Sequence, residues 1–346
     1  AKGAKAVIFE TNPEDTLPEI PVGLTWAQVE DARLAFSKMA ANFYRFDRIS
    51  DSLYVVGVTG TNGKTTITSL IQAIFSREYP TAKIGTLGMS FEQEVEKIDL
   101  TTPESIDIFE FITRAYAKGC RHLVMEASSA ALKLHRVAHI HFSQGIFTNF
   151  SGEHLDFHKT MEDYLESKTI LFKKLFMDDW AIINVDDPMG QTIIDQLECK
   201  YLTYGFSKEA DVRPLKYKLS MEGIQASITT PKGNLNIKCP LLGRVNLSNI
   251  LAAAASAVVR EISAENILLA LREFKPVKGR LDVTYNREFS VLIDYAHTDN
   301  ALENLLRSLK EIASHRLVLV FGAGGCRDKT KRPRMGKAAC RFADYV

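Results

Sequence analysis

One decapeptide, Gly57-Val58-Thr59-Gly60-Thr61-Asn62-Gly63-Lys64-Thr65-Thr66, constrains this chain more than any other stretch. The apolar run Leu53-Tyr54-Val55-Val56 precedes it and the amphipathic run from Ile67 to Phe75 follows it. The order is therefore strand, glycine-rich turn, helix. Glycine lets the backbone curl until several N–H groups face one point, and the helix N-terminus adds its partial positive charge there. Lys64 supplies a full charge for β- and γ-phosphates, and the Thr65 hydroxyl suits Mg2+. Gly60, Thr61, Asn62, Gly63 and Thr66 complete a nucleoside triphosphate cradle. Position 58 is Val, so the strict G-x4-G-K-[ST] spacing is not met. The shorter core GTNGKTT keeps Gly63-Lys64-Thr65 between strand and helix. The plainer alternative is a strand–helix turn that binds nothing.

The rest of the chain is consistent with such a turn. Strand-like and helical patterns alternate from about residue 51 to 210, which predicts a mostly parallel sheet covered on both faces. Expected strands include Lys83–Leu87, Arg121–Glu126, Gln144–Thr148 and Trp180–Asn184, and expected helices Ser105–Lys118 and Met161–Phe176. From Val212 to Leu242 short alternating runs broken by Glu222-Gly223 and Pro231-Lys232-Gly233-Asn234 read as a small antiparallel meander. Helices return at Asn246–Arg260, Ala264–Phe274 and Asn300–Ile312, with a strand pair around Leu281–Thr284 and Val291–Asp294. Near the N-terminus, Thr25-Trp26-Ala27-Gln28 has the form of a capping box and predicts a helix opening at Thr25. Arg316–Phe321 predicts a buried strand that starts a new unit, with Phe342–Val346 as a second.

The expected fold is α/β: a central nucleotide-binding domain, residues 48–315, with a mostly parallel sheet and the small meander. Truncated α/β domains flank it, at 1–47 and 316–346. Ala1–Lys5 lacks an initiator Met, and the apolar stretch after it is too short for a signal peptide, so the chain is expected to start within a longer one.

With 346 residues, 46% hydrophobic and 25% charged, a large core is affordable. A net charge of +1 gives no global attraction to nucleic acid. No apolar run approaches the ~18–20 residues of a membrane span. The five cysteines include no C-x2-C pair, which points to reduced thiols in a cytoplasmic protein.

In an open α/β sheet, ligands sit beyond the carboxyl ends of the strands. Glu126 ends one strand, and the loop carrying His154 follows the next, so both are candidate neighbours of Thr65 around Mg2+. A salt-bridged strand end and a loop or capping histidine stand as equal alternatives.

Motifs further along occur in a fixed order: Thr101-Thr102-Pro103, Glu126-Ala127-Ser128-Ser129, Phe147-Thr148-Asn149 with His154, Tyr164 with Lys168, Asn246 with Asn249, Lys278-Gly279-Arg280, Asp294-Tyr295-Ala296-His297-Thr298 and the Gly322–Lys329 stretch with Lys331-Arg332-Pro333. Taken together with GTNGKTT, the sequence resembles the Mur ligases, and within them the MurE type, from about residue 20 onward. The resemblance implies an ATP-dependent amide ligase. It would add the third stem-peptide residue, meso-diaminopimelate ahead of L-Lys, to UDP-MurNAc-L-Ala-D-Glu through an acyl phosphate, in peptidoglycan synthesis. ATP and Mg2+ are the implied cofactors, small molecules the implied partners, and a monomer the expected state.

By that resemblance Lys64 and Thr65 hold the phosphates and a first Mg2+. Glu126, His154 and Lys168 match a second metal site, Lys168 as a carbamate, which turns a cation into an oxygen ligand. Taken alone, Lys168 reads as a solvated helix lysine. Asn246, Asn249, Arg280, Asp294 and His297 match nucleotide contacts. Thr101, Thr102, Ser128 and Arg136 match the grip on the UDP-sugar-peptide. Ala130, Glu153, Asn300 and Cys326 depart from the family pattern without removing an implied metal ligand.

Two other readings remain. A folylpolyglutamate synthetase-like ligase shares the turn but not the Thr-Thr-Pro, Glu-Ala-Ser-Ser and Arg-Asp-Lys sets. A nucleotide-binding module without ligase chemistry should have lost one of Lys64, Glu126, His154 or Lys168, although a chain short of its closing domain is expected to bind ATP without ligating.

Overall fold

The computed structural model describes residues 5–10, 23–152, 157–323 and 331–346. In chain order, strands β1 (Ala6–Phe9) and β2 (Thr25–Gln28) and helix α1 (Ala32–Phe43) come first. Next are β3 (Tyr54–Thr59), α2 (Lys64–Phe75), β4 (Thr81–Gly85), β5 (Gly88–Phe91), β6 (Glu94–Glu96), α3 (Ser105–Ala117) and β7 (His122–Glu126). They are followed by α4 (Ser129–Lys133), β8 (Gln144–Phe147), α5 (Met161–Lys173), β9 (Trp180–Asn184), α6 (Pro188–Ile194) and β10 (Lys200–Tyr204).

These strands form an eight-stranded sheet in the order β10-β9-β8-β3-β7-β4-β5-β6. All pairs from β10 to β4 are parallel, and β5 and β6 add an antiparallel edge. Both faces are buried, because side chains alternate between two cores. Val56, Val58, Val124, Ile146 and Ile182 point to one core, which α2 covers. Val55, Leu123, Met125, Phe147 and Ile183 point to the other, with Phe109 and Ile112 of α3 and Leu171 of α5.

The meander forms as expected: β11 (Arg213–Ser220), β12 (Gly223–Thr230) and β13 (Gly233–Cys239) are antiparallel throughout. Ile224, Ile228, Leu235 and Ile237 join the first core, packed with helices α7 (Gly243–Val259) and α8 (Ala264–Arg272). The alanine-rich α7 is buried along nearly its whole length. A hairpin, β14 (Asp282–Asn286) with β15 (Ser290–Ile293), leads into α9 (Asp299–Ile312). A third, small core joins Leu302 and Leu306 of α9 to Met335 and Ala339 of α10 (Lys331–Phe342).

Three expectations fail. Phe342–Val346 is not a strand, since Phe342 ends α10 and only Tyr345 makes a bridge. No helix opens at Thr25. Thr25–Gln28 is extended and pairs in parallel with Ala6–Phe9, and the helix starts after Asp31, whose carboxylate accepts from the Leu34 N–H at 2.7 Å. A strand partner distant in sequence claimed the Thr25 backbone, and aspartate supplied the better cap. Nor is Arg316–Phe321 a buried strand. It makes one parallel bridge, Val318 to Tyr345, and its residues alternate: Leu317, Leu319 and Phe321 pack on the third core, while Val320 is 93% exposed. An apolar run signals a strand buried on two faces only when layers cover both, and among the described residues only one face here is covered.

Candidate active site

The carboxyl ends of β3, β7, β8 and β9 bring the candidate residues together. Gly60 and Gly63 sit at φ +136° and +90°, conformations that favour glycine. Each also lies against a neighbour: a Cβ on Gly60 would fall 1.9 Å from Thr148 Oγ1, and one on Gly63 2.6 Å from Asn249 Oδ1. The turn is clamped by the loop after β8. The Thr61 N–H donates to Asn149 O (2.8 Å), the Asn62 N–H to Asn149 Oδ1 (2.9 Å), and Thr148 Oγ1 donates to Asn62 O (2.7 Å).

Two lysines converge on this turn. Lys64 Nζ donates to Gly60 O (2.8 Å) and Thr61 O (2.7 Å). Lys168, on α5, is 1% exposed; its Nζ donates to the same Gly60 O (2.9 Å) and lies 4.1 Å from the Tyr164 ring centre. α5 therefore directs into the site a lysine that would ordinarily be solvated.

Glu126 is 1% exposed at the end of β7. Its carboxylate accepts from Thr65 Oγ1 (3.1 Å), the Thr86 N–H (2.8 Å) and Thr86 Oγ1 (3.2 Å). Space for it exists because position 85 is glycine: a Cβ there would lie 2.3 Å from Glu126 Oε1. A buried carboxylate held by neutral donors beside a hydroxyl is an oxygen-rich set that suits a hard divalent cation. Among the described residues there is no cluster of three or more His, Cys, Asp and Glu able to hold a metal. His154 and Glu153 lie outside the described residues, as do Cys326 and the Arg327–Lys329 run. The histidine that is described in this loop, His158, is buried and pairs through Nε2 with Ser129 Oγ at 2.9 Å. Burial holds its pKa below the ordinary histidine value.

The four residues assigned to the sugar-peptide meet on the far side of Glu126. Thr102 Oγ1 donates to Glu126 O (2.6 Å) and accepts from the Ser128 N–H (3.2 Å), while Arg136 Nη1 donates to Thr102 O (3.0 Å). Thr101 Oγ1 lies 3.2 Å from Thr86 Oγ1. Ser128 caps α4, accepting from the Ala131 N–H.

The nucleotide-side residues border a cavity of about 700 Å³ that opens beside the turn, with Asn246, Asn249, Arg280, Asp294 and His297 in its wall. That volume lies in the usual range for a small-molecule site. Asn249 Nδ2 donates to Asn246 Oδ1 (3.0 Å), and Asp294 accepts from the Leu281 and Ala296 N–H groups, both at 2.8 Å. Burial raises the Asp294 pKa, against the opposing pull of those two amides and Arg280.

The sequence reading quoted Asn149 within a motif without giving it a role, and it missed Thr86, Asp186, Asp187, Phe206 and Arg244. Asn149 and Thr86 hold the site from the next loops, and the other four line the cavity. The strand-end rule that singled out Glu126 applies equally to Asp186-Asp187 just after β9. Nothing local marks Thr86, Phe206 or Arg244.

A model of the Mur ligase middle domain matches residues 58–257, and one of the Mur ligase glutamate ligase domain matches 279–346. The chain is 42% identical to a UDP-N-acetylmuramoyl-L-alanyl-D-glutamate–2,6-diaminopimelate ligase of Geobacter metallireducens, over 99% of its own length and 67% of that protein. It thus spans about two thirds of that relative. A solved structure of a ligase of the same name is 30% identical, with a TM-score of 0.78, over 98% of this chain and 69% of that one. A folylpolyglutamate synthase from Mycobacterium tuberculosis shares the fold at 14% identity, with a TM-score of 0.69, over 82% of this chain and 72% of that one.

Proposed function

This chain belongs to the Mur ligase family, and from that premise we propose that it carries the ATP half of an amide ligase. The acceptor is UDP-MurNAc-L-Ala-D-Glu and the incoming amine meso-diaminopimelate. The substrates come from the names of its relatives, including the Geobacter enzyme. The observation that carries the chemistry is the convergence of Lys64 and Lys168 on the Gly60 carbonyl, next to the Thr65–Glu126 pair.

An anionic carboxylate must reach an anionic γ-phosphate, so the site has to cancel repulsion and stabilise charge spread over the transferring group. In the reaction a carboxylate oxygen of the acceptor attacks the γ-phosphorus and ADP leaves. The amine nitrogen then attacks the acyl carbon, phosphate leaves with the bonding pair, and the amine gives up a proton. Mg2+, when bound, would supply Lewis-acid stabilisation of the developing phosphoryl charge. Thr65 would hold a first Mg2+ from this chain, and Glu126, with His154 and Lys168 as a carbamate, would hold a second. Lys64 neutralises the β/γ-phosphates, and the backbone N–H groups of the turn orient them. Asn246, Asn249, Arg280, Asp294 and His297 receive the nucleoside side. Thr101, Thr102, Ser128 and Arg136 grip the acceptor.

The reading includes cytoplasmic action on small molecules by a monomer, with residues 48–315 as the catalytic domain between parts of two others. Among the described residues no helix is long and apolar enough to cross a membrane. The test is incubation of the intact protein with ATP, Mg2+, the acceptor and either diaminopimelate or lysine. Phosphate release that needs both acceptor and diaminopimelate is expected. Release that needs neither, or no release, overturns the proposal.

A further inference from the structure

A second cavity, about 370 Å³, lies behind the nucleotide turn, between α2 and the segment after α8. Its wall includes Arg77, Lys83, Lys275 and Glu273 with the apolar groups of Phe274 and Leu87. Three cations face one carboxylate, and that carboxylate already pairs with Arg77. Lys83, on β4, is 9% exposed, and among the described residues its only hydrogen-bond acceptor is the neutral Ser69 Oγ at 3.0 Å. An ammonium can donate three hydrogen bonds, and a buried one is ordinarily paired. Burial pulls its pKa below the ordinary lysine value, with Glu126 opposing from a distance. No hydrogen bond joins the two, since the Glu126 oxygens are engaged by Thr65 and Thr86.

The geometry points to a binding site for a small organic anion, a phosphate or carboxylate on an apolar body, with Lys83 as its buried counter-charge. The anionic head takes the open donors of Lys83, reinforced by Lys275 at the rim, and the apolar body covers Phe274 and Leu87. This pocket shares no lining residue with the larger cavity. Ser69 stands one helical turn after Thr65, on the same face of α2. Lys83 stands three residues before Thr86, whose N–H holds Glu126. A ligand here would therefore touch the far side of both elements that build the metal site, which gives the enzyme an anion-sensing input.

The test is calorimetric titration of phenyl phosphate into the intact protein with a non-hydrolysable ATP analogue and Mg2+ filling the nucleotide site. Binding is expected to persist there and to be tighter than that of inorganic phosphate. It should weaken about tenfold or more in Lys83→Met and less in Lys275→Ala. No binding with the nucleotide site filled, undiminished binding in Lys83→Met, or equal affinity for inorganic phosphate each overturns the assignment. If Lys83→Met does not fold, selenate-soaked crystals of the wild type replace it. An anomalous peak at hydrogen-bond distance from Lys83 Nζ supports the site, and its absence overturns it.

Discussion

Replacing Glu126 separates what this carboxylate does for the fold from what it does for a metal. In Glu126→Gln the side chain keeps its shape. The amide oxygen can take the place of Oε1 and accept from the Thr86 N–H, now at 2.8 Å. The amide nitrogen then faces Thr65 Oγ1 and Thr86 Oγ1, at 3.1 and 3.2 Å, and both hydroxyls can rotate to accept. Three hydrogen bonds survive but lose their charge assistance, so the cost to stability should be about 1 kcal/mol. Glu126→Ala instead leaves the part-buried Thr86 N–H without its acceptor, worth about 1 kcal/mol, and opens a void besides, for a total of about 2–4 kcal/mol. Both variants lose the anionic oxygen offered to Mg2+. Urea unfolding should therefore rank wild type, Gln and Ala in that order, while ligase turnover falls at least a hundredfold in both, about 3 kcal/mol of transition-state stabilisation. Equal destabilisation by Gln and Ala would refute the hydrogen-bond accounting. Mg2+-dependent turnover near the wild-type rate in Glu126→Gln would refute the metal role.

Gly60→Ala should destabilise by about 1–3 kcal/mol and weaken nucleotide binding, because its Cβ would meet Thr148 Oγ1 in a conformation alanine avoids; urea unfolding and nucleotide titration measure both. Lys168 should bear a carbamate in the active enzyme, seen as a new carbonyl signal after loading with ¹³C-bicarbonate, and a bare amine in fully active protein refutes this. Lys64→Ala should raise the dissociation constant for ATP at least tenfold at a stability cost of about 1 kcal/mol, since Gly60 O keeps its bond from Lys168 while Thr61 O loses its lysine donor. At the opposite end of the sheet, His122 accepts from Arg260 Nε at 3.0 Å and stacks on Tyr79; burial, with Arg260 adding to it, lowers its pKa from 6.5 to about 4. The unfolded chain then binds a proton that the native state refuses, so stability should fall as pH drops from about 6.5 toward about 4, and His122→Gln should flatten that slope in unfolding midpoints.

Much of the fold is legible because strands buried on two faces are continuously apolar. Trp180–Asn184 and the meander stand where the pattern puts them. The misread segments are those whose partner is remote. Thr25–Gln28 satisfies a capping rule locally and is extended because Ala6–Phe9 lies beside it. Val318 and Val320 read as core, yet among the described residues nothing covers their face. Within the site, residues inside the turn are marked by their own motif. Thr86 is ordinary in sequence and gains its role from Glu126, which reaches it across strands; Asn149 stands in a motif, but its clamp on Asn62 shows only in the fold.

The glycine-rich turn alone determines that the backbone curls before a helix and that Lys64 and Thr65 stand at its mouth, because those requirements are local to a few φ angles and one helix end. What the turn faces was decided by tertiary structure. Parallel pairing sets β7 and β8 on either side of β3, so Glu126 reaches Thr65 and Asn149 clamps Asn62. Packing of α5 drives Lys168 out of water and onto Gly60. A lysine at that spacing on an isolated helix would be solvated. Only the sheet beneath it buries that charge against Gly60.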